Sequence, residues 1–126
     1  MGTEMFLRHQ SITSVVLTIG LFCSPIIAGE KSESTPDFKA DVLPLFEAKC
    51  NRCHGAKRQA GKLDMRTVEA LLKGGVSGPA IKPGNSKKSL MIEMLHYNEM
   101  PPKKEQPRVT EEELKMLRLW VDSLKP

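Results

Sequence analysis

The sequence is poor in aromatic residues and has no long apolar run. Aromatic residues make up 5% of the 126 residues, with a single tryptophan and a single tyrosine. The longest apolar stretch, near the amino terminus, is well short of the ~20 residues that span a bilayer. No internal repeat, no low-complexity segment and no alternating β-pattern is evident. These absences argue against a repeat protein and a β-sheet domain, and the length supports one domain.

The amino-terminal residues 1–29 have the pattern of a secretory signal peptide. Arg8 precedes about a dozen mostly apolar residues, and the small residue Ala28 follows them. Ile26 is larger than the residue usual at that distance from a cleavage site, so the alternative is an uncleaved segment that acts as a membrane anchor. The pattern predicts a periplasmic or secreted protein, without stable membrane insertion once the signal is cleaved.

Removal of residues 1–29 would leave about 97 residues with two cysteines and a net charge of +4, because Glu4 and Arg8 cancel. Residues 30–37 are polar and charged and are interpreted as a lead-in, and residues 38–126 form the predicted domain. So small a domain is marginal unless a disulfide, a metal or a large bound group stabilises it.

Apolar residues at helical spacing predict an all-α domain of three or four short helices joined by long loops. The segments with this spacing are 38–50, 67–74, 85–96 and 109–124. Pro44 should kink or shorten the first helix. Thr67 is a candidate N-cap for the second helix, and Gly74 lies past its end. The last helix is the clearest, because Thr110 and Glu113 have capping-box spacing.

The most informative stretch is CNRCHG, residues 50–55. Two cysteines three residues apart, followed directly by a histidine, allow a disulfide or thiol-redox pair, half of a zinc site, or an attachment point for c-type haem. A redox pair usually opens a helix in a chain with βαβ patterning, whereas this pair follows a helical segment and no strand is evident. A structural zinc site usually needs a second pair of ligands, which the sequence lacks.

C-x-x-C-H is the attachment signature of haem c. On this interpretation Cys50 and Cys53 bind the vinyl groups on one edge of the porphyrin, and His54 is the proximal ligand of the iron. The predicted signal peptide fits, since this attachment takes place outside the cytoplasm. The glycine-rich residues 74–85 lack the Gly-Lys-Ser/Thr of a phosphate loop and are interpreted as a turn around the haem. The ring would supply the missing apolar surface, so the haem-free chain is predicted to be largely unfolded.

A haem iron needs either a second axial ligand or an open site. Met100 is the candidate, because Pro101 favours an extended backbone that can cross the other face of the ring. A thioether is a soft ligand, and histidine–methionine ligation raises the reduction potential. His96, at the end of a predicted helix, is the alternative ligand. The other methionines of the domain are interpreted as core residues: Met65, Met91, Met94 and Met116.

Several ordered motifs resemble the c-type cytochrome domain of planctomycete secreted proteins. They are CNRCHG, GKLDMRT, LLKGGVSGPAIKPGNSKKSLM, EMPP and LRLWVDS, and the likeness extends from about residue 38 to the end of the chain. The resemblance implies a cytochrome c-like fold, in which short helices and long loops wrap around one covalent haem c. In such a fold the first and last helices cross, which would bring Phe46 toward Trp120.

The resemblance also implies the roles of individual residues. Cys50 and Cys53 would bind the haem covalently, and His54 and Met100 would be the axial ligands of its iron. The carbonyl group of Pro83 would accept a hydrogen bond from the His54 ring and so orient it.

The expected function is single-electron transfer and not catalysis, because the iron would be saturated and no acid–base or nucleophilic group set is evident. The alternatives are a haem c subunit of a periplasmic dehydrogenase or oxidase complex, and a haem-based sensor or peroxidase with a labile distal ligand. The protein is expected to be a monomer or a subunit of a respiratory or dehydrogenase complex.

Basic residues near the motifs predict an acidic redox partner protein, and no nucleic acid. They are Lys57, Arg58, Lys62, Lys87, Lys88, Lys103, Lys104 and Arg108.

Overall fold

The structure is a computed structural model that describes residues 34–126. The predicted signal peptide, residues 1–29, lies outside the described residues, as do residues 30–33 of the polar lead-in at 30–37. Within residues 34–126, no helix has both the length and the apolar character needed to cross a membrane.

The described part of the chain is helical, and no strand occurs between residues 34 and 126. Its α-helices are α1 Leu43–Lys49, α2 Asn51–His54, α3 Val68–Lys73, α4 Leu90–His96 and α5 Glu111–Ser123. A π-helical turn at Phe38–Val42 precedes α1, and single 3₁₀ turns cover Ala60–Lys62 and Ser86–Lys88. The all-α class is confirmed. The described residues hold five α-helices instead of three or four, because the C-x-x-C-H motif forms a helical turn of its own.

Pro44 was predicted to kink or shorten the first helix, and α1 starts one residue before it, at Leu43. The proline lies in the first turn of α1, where its missing N–H breaks no helical hydrogen bond. The residues before it form the π-helical turn, which is capped by the Asp37 carboxylate accepting two backbone N–H groups. At the other end, the Cys50 amide donates to the Phe46 carbonyl. The first cysteine of the motif therefore lies at the carboxyl end of α1.

The helix caps predicted from the sequence are present. The Thr67 hydroxyl accepts a hydrogen bond from the Ala70 amide at 3.1 Å, and α3 ends at Gly74, whose φ is 70°. At α5 the Thr110 hydroxyl accepts from the Glu113 amide at 3.2 Å, and the Glu113 carboxylate accepts from the Thr110 amide at 2.7 Å. These local bonds fix where α3 and α5 start, and therefore where the loop before each helix ends.

The core collects buried residues from α1, α3, α4 and α5 and from the loops between them. The rings of Phe46 and Trp120 meet edge to face, with centroids 6.4 Å apart and planes at 82°. This confirms the predicted contact, and Phe38 joins it at 5.5 Å from the Trp120 ring. One face of α5 is buried against this cluster: Leu114, Leu117, Trp120 and Val121.

Candidate functional site

A cavity of about 290 Å³ opens beside the C-x-x-C-H motif. Its walls come from the α1–α2 junction, the glycine-rich residues 75–78, the helix α4 and the proline-rich residues 100–107. Most side chains that line it are apolar. Cys50, Cys53, His54 and Met100 all lie on its surface. The structure thus brings these four sequence-predicted residues around one cavity.

The two cysteines are free thiols in this structure. Burial raises the pKa of the Cys50 thiol to about 12, while Lys49 acts to lower it and Glu113 to raise it. The cysteines of redox-active Cys-x-x-Cys motifs have lowered pKa values instead. Between residues 34 and 126, no cluster of three or more histidine, cysteine or acidic side chains could hold a metal ion. The thiol-redox and zinc interpretations therefore lack support among the described residues.

His54 is the last residue of α2, and its side chain lines the cavity. Its ring nitrogen Nδ1 is buried and has no hydrogen-bond partner. A buried polar atom without a partner is costly, so such an atom usually marks a functional site or an absent group. A half-buried imidazole that lines the same cavity as two thiols and a thioether fits the donor set of haem c.

The backbone around His54 is held on both sides. The His54 carbonyl accepts a hydrogen bond from the Met65 amide at 2.8 Å. The next residue, Gly55, has no room for a side chain, because a Cβ there would lie 2.3 Å from the Asn51 carbonyl oxygen. The position of the imidazole therefore depends on a close backbone approach at Gly55 and on the loop that carries Met65.

Pro83 does not lie where its predicted role requires. It is absent from the cavity lining, and Nδ1 of His54 donates to no carbonyl group in the structure. The turn that contains Pro83 is held against α5, because the Gly84 amide donates to the Val121 carbonyl at 3.0 Å. Pro79 lies nearer to the cavity, since both of its neighbours in the chain line it. The Gly-Pro dipeptide inside the glycine-rich segment was the signal that could have drawn attention to this second proline.

Four methionines line the cavity, and Met100 differs from the others in its setting. Met65 and Met91 are buried and belong to the hydrophobic core, as predicted. Met94 is half-buried within α4. Met100 is 39% exposed and lies outside any helix, at the cavity mouth. It is therefore the thioether whose position depends least on the core.

His96 lies away from this cavity. It is the last residue of α4, and its Nδ1 is 3.2 Å from Nη2 of Arg118. Its ring also contacts the Tyr97 ring, with centroids 5.0 Å apart. The structure therefore does not bring His96 together with His54.

Charged residues connect the motif to the segment that carries Met100. Arg52, inside the motif, pairs with Glu105, and both line the cavity. Lys49, next to Cys50, donates to the Arg108 carbonyl at 2.7 Å. The sequence analysis missed these contacts, because they join residues more than fifty positions apart along the chain.

The comparison with known protein families agrees with the site. Residues 50–104 match the family model described as Planctomycete cytochrome C. No curated protein and no solved structure matches the chain. The matched range contains the C-x-x-C-H motif, the glycine-rich loop and Met100. The match supports a haem-binding cytochrome, and it favours electron transfer over catalysis as the function. Residues 50–104 of this chain are thus similar to the planctomycete cytochrome c family, and the match supports a planctomycete-type cytochrome domain there.

Proposed function

We propose that this protein is a monohaem c-type cytochrome that carries single electrons outside the cytoplasm. Cys50 and Cys53 would hold one haem c through thioether bonds, and His54 and Met100 would be the axial ligands of its iron. When bound, the haem supplies one-electron redox chemistry. The observation that carries the proposal is the convergence of two free thiols, a buried imidazole nitrogen without a partner and a thioether on one cavity.

The chain provides the groups that covalent attachment needs. Cys50 and Cys53 would each supply a thiol whose S–H adds to a vinyl group of the haem, with the sulfur bonded to one vinyl carbon and the hydrogen to the other. No electrons are lost and no group leaves. Attachment therefore requires that the two cysteines stay reduced until the haem arrives.

The remaining side chains of the cavity suit an electron carrier. Met100 would occupy the second axial position and keep other ligands away from the iron. Its soft sulfur favours the reduced metal and raises the reduction potential. Apolar residues from three loops and α4 would exclude water from the rest of the ring: Leu63, Met65, Val76, Leu90, Leu95 and Pro101. Two charged groups of the lining are engaged in ion pairs, because Glu105 pairs with Arg52 and Lys49 with Glu113.

An acidic protein is the proposed redox partner. Seven of the eight basic residues named above are exposed, and the exception is Arg108, which is half-buried. Lys57 and Arg58 follow the haem motif, whereas Lys103 and Lys104 follow Met100, so positive charge flanks the cavity on two sides. Such charge steers an acidic partner toward the haem edge. The partner would be a soluble protein or the catalytic chain of a dehydrogenase or oxidase complex.

The test is an optical spectrum of the protein, exported by a host with c-type maturation machinery, in three versions. The wild type should show sharp reduced c-type bands and the weak far-red band of sulfur-ligated ferric haem. Met100→Leu should keep the covalent haem and lose the far-red band. Met94→Leu is the matched control, since it removes another thioether from the same cavity and should keep the band. Absence of covalent haem in the wild type would refute the proposal.

The loop position of Met100 supports a second candidate function. A methionine outside any helix, followed by two prolines that contribute no amide donors, would leave the iron more easily than one carried on a helix. The second candidate is a haem-based sensor or peroxidase with a labile distal ligand. Tight carbon monoxide binding by the reduced wild type, at the affinity of Met100→Leu, would favour it over the electron carrier.

A further inference from the structure

Arg108 bonds to backbone on both sides of Met100. Its Nη1 donates to the Pro101 carbonyl at 2.8 Å and, at 3.4 Å, to the Pro102 carbonyl. Its Nη2 donates to the Asn98 carbonyl at 3.1 Å and to the Asn98 side-chain oxygen at 3.3 Å. One guanidinium group therefore spans the whole turn that presents Met100 to the cavity.

The backbone of Arg108 is itself anchored to two helices. The Arg108 carbonyl accepts from Nζ of Lys49 at 2.7 Å, and the same Nζ lies 2.8 Å from Oε1 of Glu113. Lys49 is the last residue of α1, and its side chain is 9% exposed. Glu113 belongs to the capping box of α5. The Arg108 side chain thus extends from a fixed point toward the Met100 turn.

Apart from Arg108, the Met100 turn is held by the burial of Pro101 and by backbone hydrogen bonds, one of them from the Glu105 amide to the Pro102 carbonyl at 2.7 Å. The amides of Glu99 and Met100 donate to the Met94 carbonyl at 2.9 and 3.2 Å. Prolines contribute no amide donors at three positions of this segment: Pro101, Pro102 and Pro107. The ion pair of Glu105 uses Arg52, whose side chain is 71% exposed, and exposed pairs contribute little. Arg108 therefore supplies most of the side-chain hydrogen bonds that hold the turn.

We propose that Arg108 is the positioning residue for Met100. Its guanidinium holds residues 98–102 at the cavity, so that the Met100 sulfur would stay in place to bind the iron of a bound haem. The proposal rests on the proposed function, because it requires Met100 as an iron ligand. Arginine suits the role, since its donors form a rigid planar fork that reaches several carbonyl groups at once. A lysine ammonium is a compact point charge on a flexible stem and cannot do so equally well.

The test is a titration of the ferric holoprotein with imidazole. Imidazole reaches the iron only when Met100 has left, so its apparent affinity reports how often the turn opens. Arg108→Ala should bind imidazole about tenfold more tightly than the wild type, because three or more hydrogen bonds to the turn are lost. Arg108→Lys should lie between the two. Lys104→Ala removes the same charge from an exposed position of the same segment and should stay within about twofold of the wild type.

Amide hydrogen exchange of the same holoproteins provides a second readout. Peptides that cover residues 98–105 should exchange faster in Arg108→Ala, while peptides from α5 should be unchanged. A purely structural role would instead lower the urea midpoint and leave the imidazole affinity where it was. If Arg108→Ala does not acquire haem, the imidazole affinity of Arg108→Lys is compared with that of the wild type. Tighter binding by Arg108→Lys supports the proposal, and equal binding overturns it.

Two unfavourable outcomes can be told apart. If the wild type shows the far-red band and the Arg108 variants bind imidazole as weakly as it does, the positioning role is overturned and the proposed function stands. If the wild type lacks the band and binds imidazole as tightly as Met100→Leu, Met100 is not a ligand. In that case the proposed ligation and the role of Arg108 are overturned together.

Discussion

Nζ of Lys49 lies 2.8 Å from Oε1 of Glu113, and this ion pair joins the residue before Cys50 to the capping box of α5. The Lys49 side chain is 9% exposed and that of Glu113 is 29% exposed, so solvent screens the pair only in part. Both residues lie outside the matched residues 50–104. The position of the cysteine motif therefore depends on a helix that the family match does not cover.

Lys49→Met should destabilise the holoprotein by about 1–3 kcal/mol, because Glu113 and the Arg108 carbonyl lose a charged hydrogen-bond donor at a partly buried site. Urea denaturation followed by circular dichroism measures the change. Lys57→Met makes the same substitution at an exposed position and should shift stability by less than about 0.5 kcal/mol. Equal midpoints for the two variants would contradict the structural role assigned to the pair.

Two leucines of α5 provide a matched pair for the buried face of that helix. Leu117 is 0% exposed, whereas Leu119 is 42% exposed. Leu117→Ala should cost about 2–5 kcal/mol of stability, because it removes buried methyl groups and leaves a cavity beside the aromatic cluster. Leu119→Ala should cost less than about 1 kcal/mol. If Leu119→Ala lowered the urea midpoint more than Leu117→Ala, the buried face of α5 would be the one that carries Leu119, contrary to the structure.

Gly55→Ala should disturb the haem motif directly. The added Cβ would lie 2.3 Å from the Asn51 carbonyl oxygen, so α2 or the loop after it has to move. We expect a loss of about 1–3 kcal/mol in stability and a lower yield of covalent haem, measured from the absorbance ratio of haem to protein. Ala56→Val adds volume at the next, exposed position and should mature normally. Normal haem yield from Gly55→Ala would show that the motif relaxes at little cost.

A chain without haem should be largely unfolded. Met65, Ala80 and Met91 belong both to the core and to the cavity wall, so without the ring they would face an open cavity. Several hundred Å² of buried ring surface would contribute on the order of 10 kcal/mol before ordering costs. The double variant Cys50→Ala and Cys53→Ala should therefore lose most of its helical circular dichroism, while Met100→Leu, which keeps the haem, should not. A cooperative thermal transition in the double variant would reject this prediction.

Local chemistry determined the features that the sequence analysis predicted correctly. The start of α3 depends on Thr67 and that of α5 on Thr110 and Glu113, and each cap acts within four residues. The spacing of Leu114, Leu117 and Trp120 was enough to identify the buried face of α5. The C-x-x-C-H pattern is equally local, whereas preferring haem attachment to a redox pair also used the helical pattern of the rest of the chain.

Contacts between distant residues decided the rest. The sequence could not place Pro83, because its turn is held by α5 and not by the cavity. Arg108 looked like one more surface cation, and only the folding of residues 98–108 back on themselves turns its guanidinium toward the carbonyl groups around Met100. Residue type and spacing thus determined the helices and the C-x-x-C-H motif of this protein, because those depend on neighbours in the chain. The tertiary structure decided which residues hold the turn that carries Met100, because hydrogen bonds across long loops follow from packing and leave no periodic pattern in the sequence.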